Sequence, residues 1–481
     1  MYAKDFLLSS DTARRLYENY ARSLPVIDYH CHLNPREIAE DKRYDNIAQV
    51  MLGSAKDGGD HYKWRLMRTY GIQESLITGN GDDYQKWLAW AEVLPHAIGN
   101  PVYLWTHMEL RDYFGFDKPL NPSTAKEAWD VCNKKLKTLT AREMIRQAGV
   151  MALCTSDDPA DNLKWHEIIK NDASFTTQVL PTFRPDKVLA PDTPDFKSYL
   201  KRLGMAAGIK IKSLGDLLEA LKRRMDYFDA HGCVVADQSM MEVPTAIIVE
   251  DEDDWEMIND DLVFDDLFED LLADDYDNLD EYRIFCYRLR VISFLATEYK
   301  KRRWVMCLHY GVQRNVNENL ADTIGPNIGG DVIAGTECGA ELADFLSELD
   351  YNNALPKTII FSLNPNDNRF IDSIVGAFQE EGVKAKIQHG AAWWFNDTRS
   401  GMRDQMISLA ETGLLGCFLG MLTDSRSFTA YTRHDYFRRV LCDLIAEWID
   451  RGEYFDDEET LKRMIEGICY KNVIEYFELA L

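Results

Sequence analysis

Leu24-Pro25-Val26-Ile27-Asp28-Tyr29-His30-Cys31-His32 is a short apolar run ending in two histidines one residue apart. A strand turns successive side chains to opposite faces, so His30 and His32 are expected to share a face and to be close enough for one divalent ion. The stretch predicts a buried strand with a metal site at its C-terminal end. The plainer reading is a polar strand end or helix entrance, and spacing alone does not separate the two.

Similar runs recur between longer helical stretches: Val150–Cys154, Thr177–Thr182, Cys233–Ala236, Trp304–His309, Thr358–Leu363, Val383–Gln388 and Cys417–Leu422. With the first they make about eight strand candidates, several followed by helical periodicity. Continuous apolar strands alternating with helices predict an α/β fold, either a doubly wound sheet or a (β/α)8 TIM-type barrel, and the count favours the barrel. No G-x-G-x-x-G follows the first strand, which removes the main support for a dinucleotide fold.

Residues 33–149 are too many for one crossover helix, so an inserted helical subdomain is expected after the first strand. Tyr62–Thr69 and Asp83–Leu94 carry helical patterns there, and Asn121-Pro122-Ser123-Thr124-Ala125 reads as a capped helix start. The division expected is 1–32 for an N-terminal helix and the first strand, 33–149 for the insertion, and 150–481 for the rest of the barrel with C-terminal helices. A second long gap holds the densest acidity, Val249–Glu281, where Phe264, Leu267, Phe268 and Leu271 fall at helical spacing. An amphipathic helix with a solvated acidic face is predicted there; the loop spacing of a calcium site is absent.

The chain has 481 residues, 54 basic and 80 acidic, for a net charge of −26. That field disfavours nucleic acid and anionic membranes as partners. It would also repel a small anionic substrate, whose site would then need concentrated arginines. Ten cysteines without a C-x-x-C pair, and no apolar leader or run of roughly 20 apolar residues, lead to the expectation of a cytoplasmic protein without a membrane span.

In a barrel of this type the βα loops at the strand C-termini build the reactive face. Strand one leads to His30 and His32, strand three to Arg184, strand four to Asp237, strand five to His309 and Arg314, and strand eight to Asp424 and Arg426. Strands one and eight are neighbours in a closed barrel, so His30, His32 and Asp424 are the expected ligands of one ion. Taken singly, either aspartate could cap a turn, His309 could be a satisfied core histidine, and each arginine could form a surface ion pair. Charged groups rarely gather at one end of a buried sheet without purpose.

Several longer strings carry a resemblance. Ile27-Asp28-Tyr29-His30-Cys31-His32-Leu33, Gly59-Asp60-His61-Tyr62-Lys63-Trp64-Arg65, Thr182-Phe183-Arg184-Pro185-Asp186-Lys187 and Thr423-Asp424-Ser425-Arg426-Ser427-Phe428 resemble the uronate isomerase family of the amidohydrolase superfamily. So do Trp105-Thr106-His107, Leu363-Asn364-Pro365, Trp393-Trp394-Phe395-Asn396-Asp397 and Tyr431-Thr432-Arg433-His434. The resemblance implies a (β/α)8 barrel that converts glucuronate to fructuronate and galacturonate to tagaturonate through an enediol. It implies Tyr62, Asp237, His309 and Asp424 as catalytic residues, with Tyr62 and Asp237 handling protons and His309 meeting a hydroxyl or ring oxygen. It implies His61, Arg184, Arg314, Arg426 and Trp393 as substrate-binding. A planar guanidinium suits a carboxylate bidentately, so an arginine is the expected anchor. One divalent ion, zinc or manganese, fits His and carboxylate ligands; the partner expected is a small anionic sugar acid, and a homo-oligomer is left open.

The chain departs from the family pattern at Gln238, where histidine is usual, at Ala391 in Gly390-Ala391-Ala392, preceded by His389, and at Val316. Those changes bear on local substrate contacts. Two other readings remain: a mononuclear metal-dependent hydrolase of the same superfamily, and a non-catalytic sugar-acid binding protein. Strand six ends near Asn364 rather than histidine, which disfavours a binuclear hydrolase site.

Overall fold

Seven short, buried strands run parallel in the order of the sequence: β1 (Val26–Asp28), β2 (Val150–Cys154), β3 (Gln178–Leu180), β4 (Val235–Ser239), β5 (Val305–Tyr310), β6 (Thr358–Ser362) and β7 (Ile387–His389). They belong to a computed structural model that describes residues 4–54, 58–240, 243, 268–270, 272, 281–335 and 339–481. β1–β3 form one sheet and β4–β7 another. Phe183, just past β3, bridges Asp157 beyond β2 and Ala236 in β4, which joins the two.

The eighth expected strand, Cys417–Leu422, does not form. Leu415–Cys417 is a 3-10 turn and residues 418–424 carry no ladder. Their backbone groups are met largely by side chains and single bonds. Gln388 Nε2 donates to the Cys417 carbonyl (3.0 Å) and Asn472 Nδ2 to that of Phe418 (2.8 Å). The Thr423 amide donates to the Asp28 carboxylate (2.8 Å), and the Asp424 amide to the His30 carbonyl (3.1 Å). The segment thus lies between β7 and β1 and closes the (β/α)8 barrel. β1 is also shorter than the Leu24–His30 expected: the chain bends at Tyr29–His30, so both metal-candidate histidines stand on the exit from the strand.

Alternation fills the barrel. Val235, Val305, Cys307, Ile359 and Phe361 share one buried cluster with Ile27, Tyr29, Ala152 and Cys154. The C-terminal helix Asn472–Phe477 supplies the floor: Phe477 packs on Tyr29 at 5.4 Å between ring centroids, and Tyr476 Oη donates to the Lys386 carbonyl at 2.7 Å.

Between β1 and β2 the chain is mainly helical, including His61–Tyr70, Asp83–Val93, Pro101–Phe114 and Ala125–Leu136. Their apolar faces join one core with the N-terminal helix and Thr432–Asp450, the long helix after the closing segment. The last of the four begins where Asn121–Ala125 predicts it, but Thr124 does not cap it by side chain; its hydroxyl accepts from the Asn121 amide instead (3.0 Å). Of the four residues expected to form the acidic helix, Phe264, Leu267 and Leu271 lie outside the described residues, and Phe268 is buried against Tyr287. No described helix is long and apolar enough to cross a membrane, and none of the nine described cysteines is in a disulfide.

Candidate active site

At the C-terminal end of the barrel a cavity of about 820 Å³ is lined by His30, His32, His61, Tyr62, Arg184, His309, Arg314, Trp393, Asp424 and Arg426, among others. Nearly every residue singled out in the sequence therefore meets in one place. Asp237 stands directly behind this wall, fully buried.

Asp424 Oδ1 lies 3.2 Å from His30 Nε2 and 3.0 Å from His32 Nε2. The three ligand atoms are all within 4.8 Å of one another, the one such group of three found among the described residues. Trp393 Nε1 donates to the other oxygen, Oδ2, at 2.8 Å. Burial opposes ionisation of Asp424, but its bonds to the two histidines hold the carboxyl well below the usual range. Burial lowers His32 to about 3, keeping its nitrogens available as ligands. Two imidazole nitrogens and one ionised carboxylate suit a single divalent ion. Asp424 adopts φ +44°, a left-handed conformation that an aspartate tolerates at some cost and that turns its side chain to both histidines.

Strand alternation sends Asp237 and His309 inward from β4 and β5. Asp237 accepts from His309 Nδ1 at 2.6 Å through one oxygen and from Arg184 Nη1 at 2.6 Å through the other. Burial opposes its charge, yet Arg184 and His309 hold the carboxyl far below its ordinary value. Both oxygens being engaged, Asp237 orients His309 and is poorly placed to receive a proton itself. Burial lowers the pKa of His309, whose Nε2 has no hydrogen-bond partner among the described residues. With Nδ1 donating to Asp237, Nε2 is the basic nitrogen. Phe361 lies flat on the imidazole (4.3 Å, 3°), and Gly390 makes that possible, since a Cβ there would sit 2.2 Å from the Phe361 ring.

The three arginines are not equivalent. Arg184 is shared between Asp237 and Asp186, and Arg314 donates to Asp331 (2.8 Å) and Ser239 (2.9 Å). Arg426 has no carboxylate within ion-pair distance among the described residues; its Nη1 lies 3.3 Å from His61 Nε2. Burial, with the repulsion of Arg184 and Arg314, lowers the pKa of Arg426. His61 stacks on Trp64, and burial together with Arg426 lowers it to about 4, so it faces the guanidinium as a neutral ring.

Tyr62 projects from the first turn of the His61–Tyr70 helix, whose N-terminus Asp60 caps by accepting from the Lys63 amide (3.1 Å). Its hydroxyl donates to Asp397 Oδ2 (2.7 Å), and the Arg433 guanidinium lies over its ring at 5.0 Å. Burial, reinforced by the Asp397 charge, raises the phenol well above its ordinary pKa.

The departures from the family pattern fall mostly outside the cavity. Gln238 points away from the barrel axis and donates to Tyr299 Oη (2.8 Å), and His389 turns to the helix layer, bonding Asp372 at 2.7 Å. Ala391 packs in the barrel core and Val316 is exposed. Asn364, at the end of β6, caps the following turn by accepting from the Asn366 amide. Asp186, Ser239, Asp331, Asp397 and Arg433 received no role from the sequence. Three of them, Asp186, Asp397 and Arg433, lie inside the quoted strings, but nothing in a linear string says which buried partner each one meets.

A family model described as glucuronate isomerase matches residues 1–477. The uronate isomerase of Lachnospira eligens is 46% identical over 476 residues, covering 98% of each chain, and that of Endomicrobium trichonymphae is 46% identical over 480 residues, 99% of each. The crystal structure of uronate isomerase from Thermotoga maritima superposes with a TM-score of 0.89 at 31% identity, covering 99% of both chains. Glucuronate isomerase from Caulobacter crescentus, at 23% identity and a TM-score of 0.88, shares the fold over 100% of this chain and 98% of its own.

Proposed function

Since this chain belongs to the glucuronate isomerase family and is an aldose–ketose isomerase interconverting glucuronate with fructuronate and galacturonate with tagaturonate, we propose how its own residues divide the reaction. Isomerisation of the open-chain sugar removes the C2 proton, passes through an enediol and returns a proton to C1. His309 Nε2 is the base: it is buried without a hydrogen-bond partner on a side chain that lines the cavity, and Asp237 fixes its tautomer and stabilises the imidazolium that forms. Positioned proton transfer of this kind contributes roughly a hundred- to ten-thousand-fold. Arg426 anchors the sugar carboxylate, because it alone of the three arginines lacks a carboxylate within ion-pair distance among the described residues. Arg184 and Arg314, each already paired, place positive charge beside the developing enediolate. Tyr62, held as a neutral phenol, donates to a reacting oxygen.

His30, His32 and Asp424 would hold one divalent ion, zinc or manganese, and Trp393 would keep the carboxylate in place. When bound there, such an ion polarises an attached carbonyl or hydroxyl oxygen. The observation that carries this reading is the His309–Asp237–Arg184 chain opening on the same cavity as Arg426. A coupled assay of both uronates tests it. Product formed in deuterium oxide is expected to carry deuterium at C1, since the base exchanges with solvent, whereas hydrolysis would leave no such label. His309→Gln is expected to lower kcat at least a hundredfold with a small change in KM; wild-type turnover in that variant would reject the choice of base.

A further inference from the structure

The loop that carries Arg314 is tied off at its base. Val312 and Gln313 pair antiparallel with Ile333 and Val332, and the Val316 amide donates to the Gly330 carbonyl (3.1 Å). Between these ties the loop reaches the cavity wall at Asn315, Pro326 and Asn327. Asp331 closes the loop from behind. Only 2% exposed, it accepts the Asn315 amide on Oδ1 (2.8 Å) and Arg314 Nη1 on Oδ2 (2.8 Å), while its carbonyl accepts from Arg65 Nη1 (3.0 Å) on the His61–Tyr70 helix. Gly329 lets that helix come close: its φ is +93°, and a Cβ there would stand 2.9 Å from Arg65 Cγ. The two carboxylate oxygens serve different purposes. Stapling the loop needs only Oδ1, and an asparagine would supply that acceptor without burying a charge. The second oxygen and the charge serve Arg314, whose Nη2 is held in turn by Ser239 Oγ (2.9 Å). The Ser239 amide donates to Asp186 Oδ1 (3.0 Å), and Asp186 Oδ2 accepts from Arg184 Nε (2.9 Å). A continuous run of bonds therefore joins Asp331 to Arg184 and, through Asp237, to His309.

We propose that Asp331 is the positioning residue of Arg314: with Ser239 it fixes the guanidinium at one place in the cavity wall, ready for the charge that develops on the sugar oxygens. This rests on the reading that Arg314 stabilises the enediolate. Arg314 already commits one nitrogen to Asp331 and another to Ser239, so it adds little to the binding of the resting sugar. A long side chain released from both ties samples several rotamers, and a cation fixed in advance stabilises a transition state more than a mobile one does. Loss of Asp331 is therefore felt in turnover and not in substrate affinity. An exposed ion pair would do little of this, because solvent screens it and both side chains move. Here the carboxylate is buried, both its oxygens are engaged, and its main chain is held by Arg65.

The test is a double-mutant cycle on the metal-loaded, full-length protein with glucuronate as substrate. Asp331→Asn keeps an oxygen for the Asn315 amide and turns an NH2 toward Arg314, donor against donor. It is expected to lower kcat by about tenfold or more, to leave KM within about threefold, and to melt close to the wild type. Arg314→Met is expected to lower kcat at least as far, and the double variant no further than Arg314→Met alone. Three results overturn the proposal: a kcat for Asp331→Asn within about threefold of wild type, a defect of that variant confined to KM, or a double variant slower than Arg314→Met by the full factor of Asp331→Asn. Should Asp331→Asn fail to fold by its melting curve, Ser239→Ala decides. It is expected to lower kcat by about threefold or more in the wild type and not at all in Arg314→Met, and a loss that persists in Arg314→Met overturns the proposal. Wild-type turnover in Arg314→Met would defeat the underlying reading of Arg314. A slow Arg314→Met beside a fast Asp331→Asn would defeat the positioning role alone.

Discussion

Single side chains in this protein are set by what stands behind them. Arg184, Arg314 and Arg426 look alike in the sequence, yet two of them are already neutralised by Asp237, Asp186 and Asp331. Arg426→Met is therefore expected to raise KM for uronates by about ten- to a hundredfold, the loss of one charge-assisted bond, and to narrow the preference over the neutral parent aldose. Steady-state kinetics with both sugars measure this; a larger effect from Arg314→Met would reassign the anchor. Residue types at strand ends were legible, because polar groups at the exits of apolar runs have few other reasons to be there. Their pairings were not: Asp237 reads as a free acid until β4 and β5 set it beside His309 and Arg184. Asp157 shows the same limit. It is buried beside Thr155 Oγ1 (2.7 Å) and the Thr182 amide (3.2 Å), and burial pushes its carboxyl up from 3.8 to about 7. Between about pH 4 and 7 the unfolded chain has released this proton while the native state still holds it, so stability falls as pH rises through that window, by up to ~4 kcal/mol. Asp157→Asn removes this dependence, and urea midpoints at pH 5 and 8 should lie closer together in the variant than in the wild type. An unchanged gap would mean that the carboxyl is not protonated in the fold.

At the level of elements, the exit of β1 and the closing segment before Thr432–Asp450 together make the metal candidate. One equivalent of divalent ion per chain is expected by elemental analysis, and a His30→Asn, His32→Asn double variant should lose it while retaining its far-ultraviolet circular dichroism. Full metal in that variant would move the site elsewhere. Seven strands overlap the apolar runs that predict them, β4 and β7 by only two residues each, because a strand buried on both faces writes its burial directly into composition. The eighth fails to form for a physical reason. Cys417–Leu422 is as apolar as its neighbours, but the carbonyls of Cys417 and Phe418 are met by Gln388 and Asn472, and the Thr423 amide just beyond it by Asp28, side chains far away in the chain. Periodicity reports which face is buried and is silent on who satisfies the backbone. The helix carrying Tyr62 is likewise tied to the Arg314 loop by a bond that no pattern announces: Arg65 Nη1 donates to the carbonyls of Gly329 (2.7 Å) and Asp331 (3.0 Å).

Across the whole molecule, a net charge of −26 surrounds a cavity rich in arginine and histidine. Long-range repulsion of an anionic sugar is screened within about 10 Å at ordinary salt, so recognition falls to the local cations. The barrel floor depends on the other end of the chain. Deleting residues 472–481 removes Val473, Tyr476 and Phe477 from beneath the strands and is expected to cost on the order of 5 kcal/mol or more, seen as a lowered melting temperature and binding of a hydrophobic dye. An unchanged melting curve would mean that the barrel closes without its floor. The position of that floor also orders the birth of the protein. β1 emerges from the ribosome early, yet its neighbour at residues 418–425 and its plug at 472–477 follow some four hundred residues later. For most of synthesis the inner face of the barrel has nothing to cover it, and chaperone occupancy is expected to persist until the last turn of helix has been made.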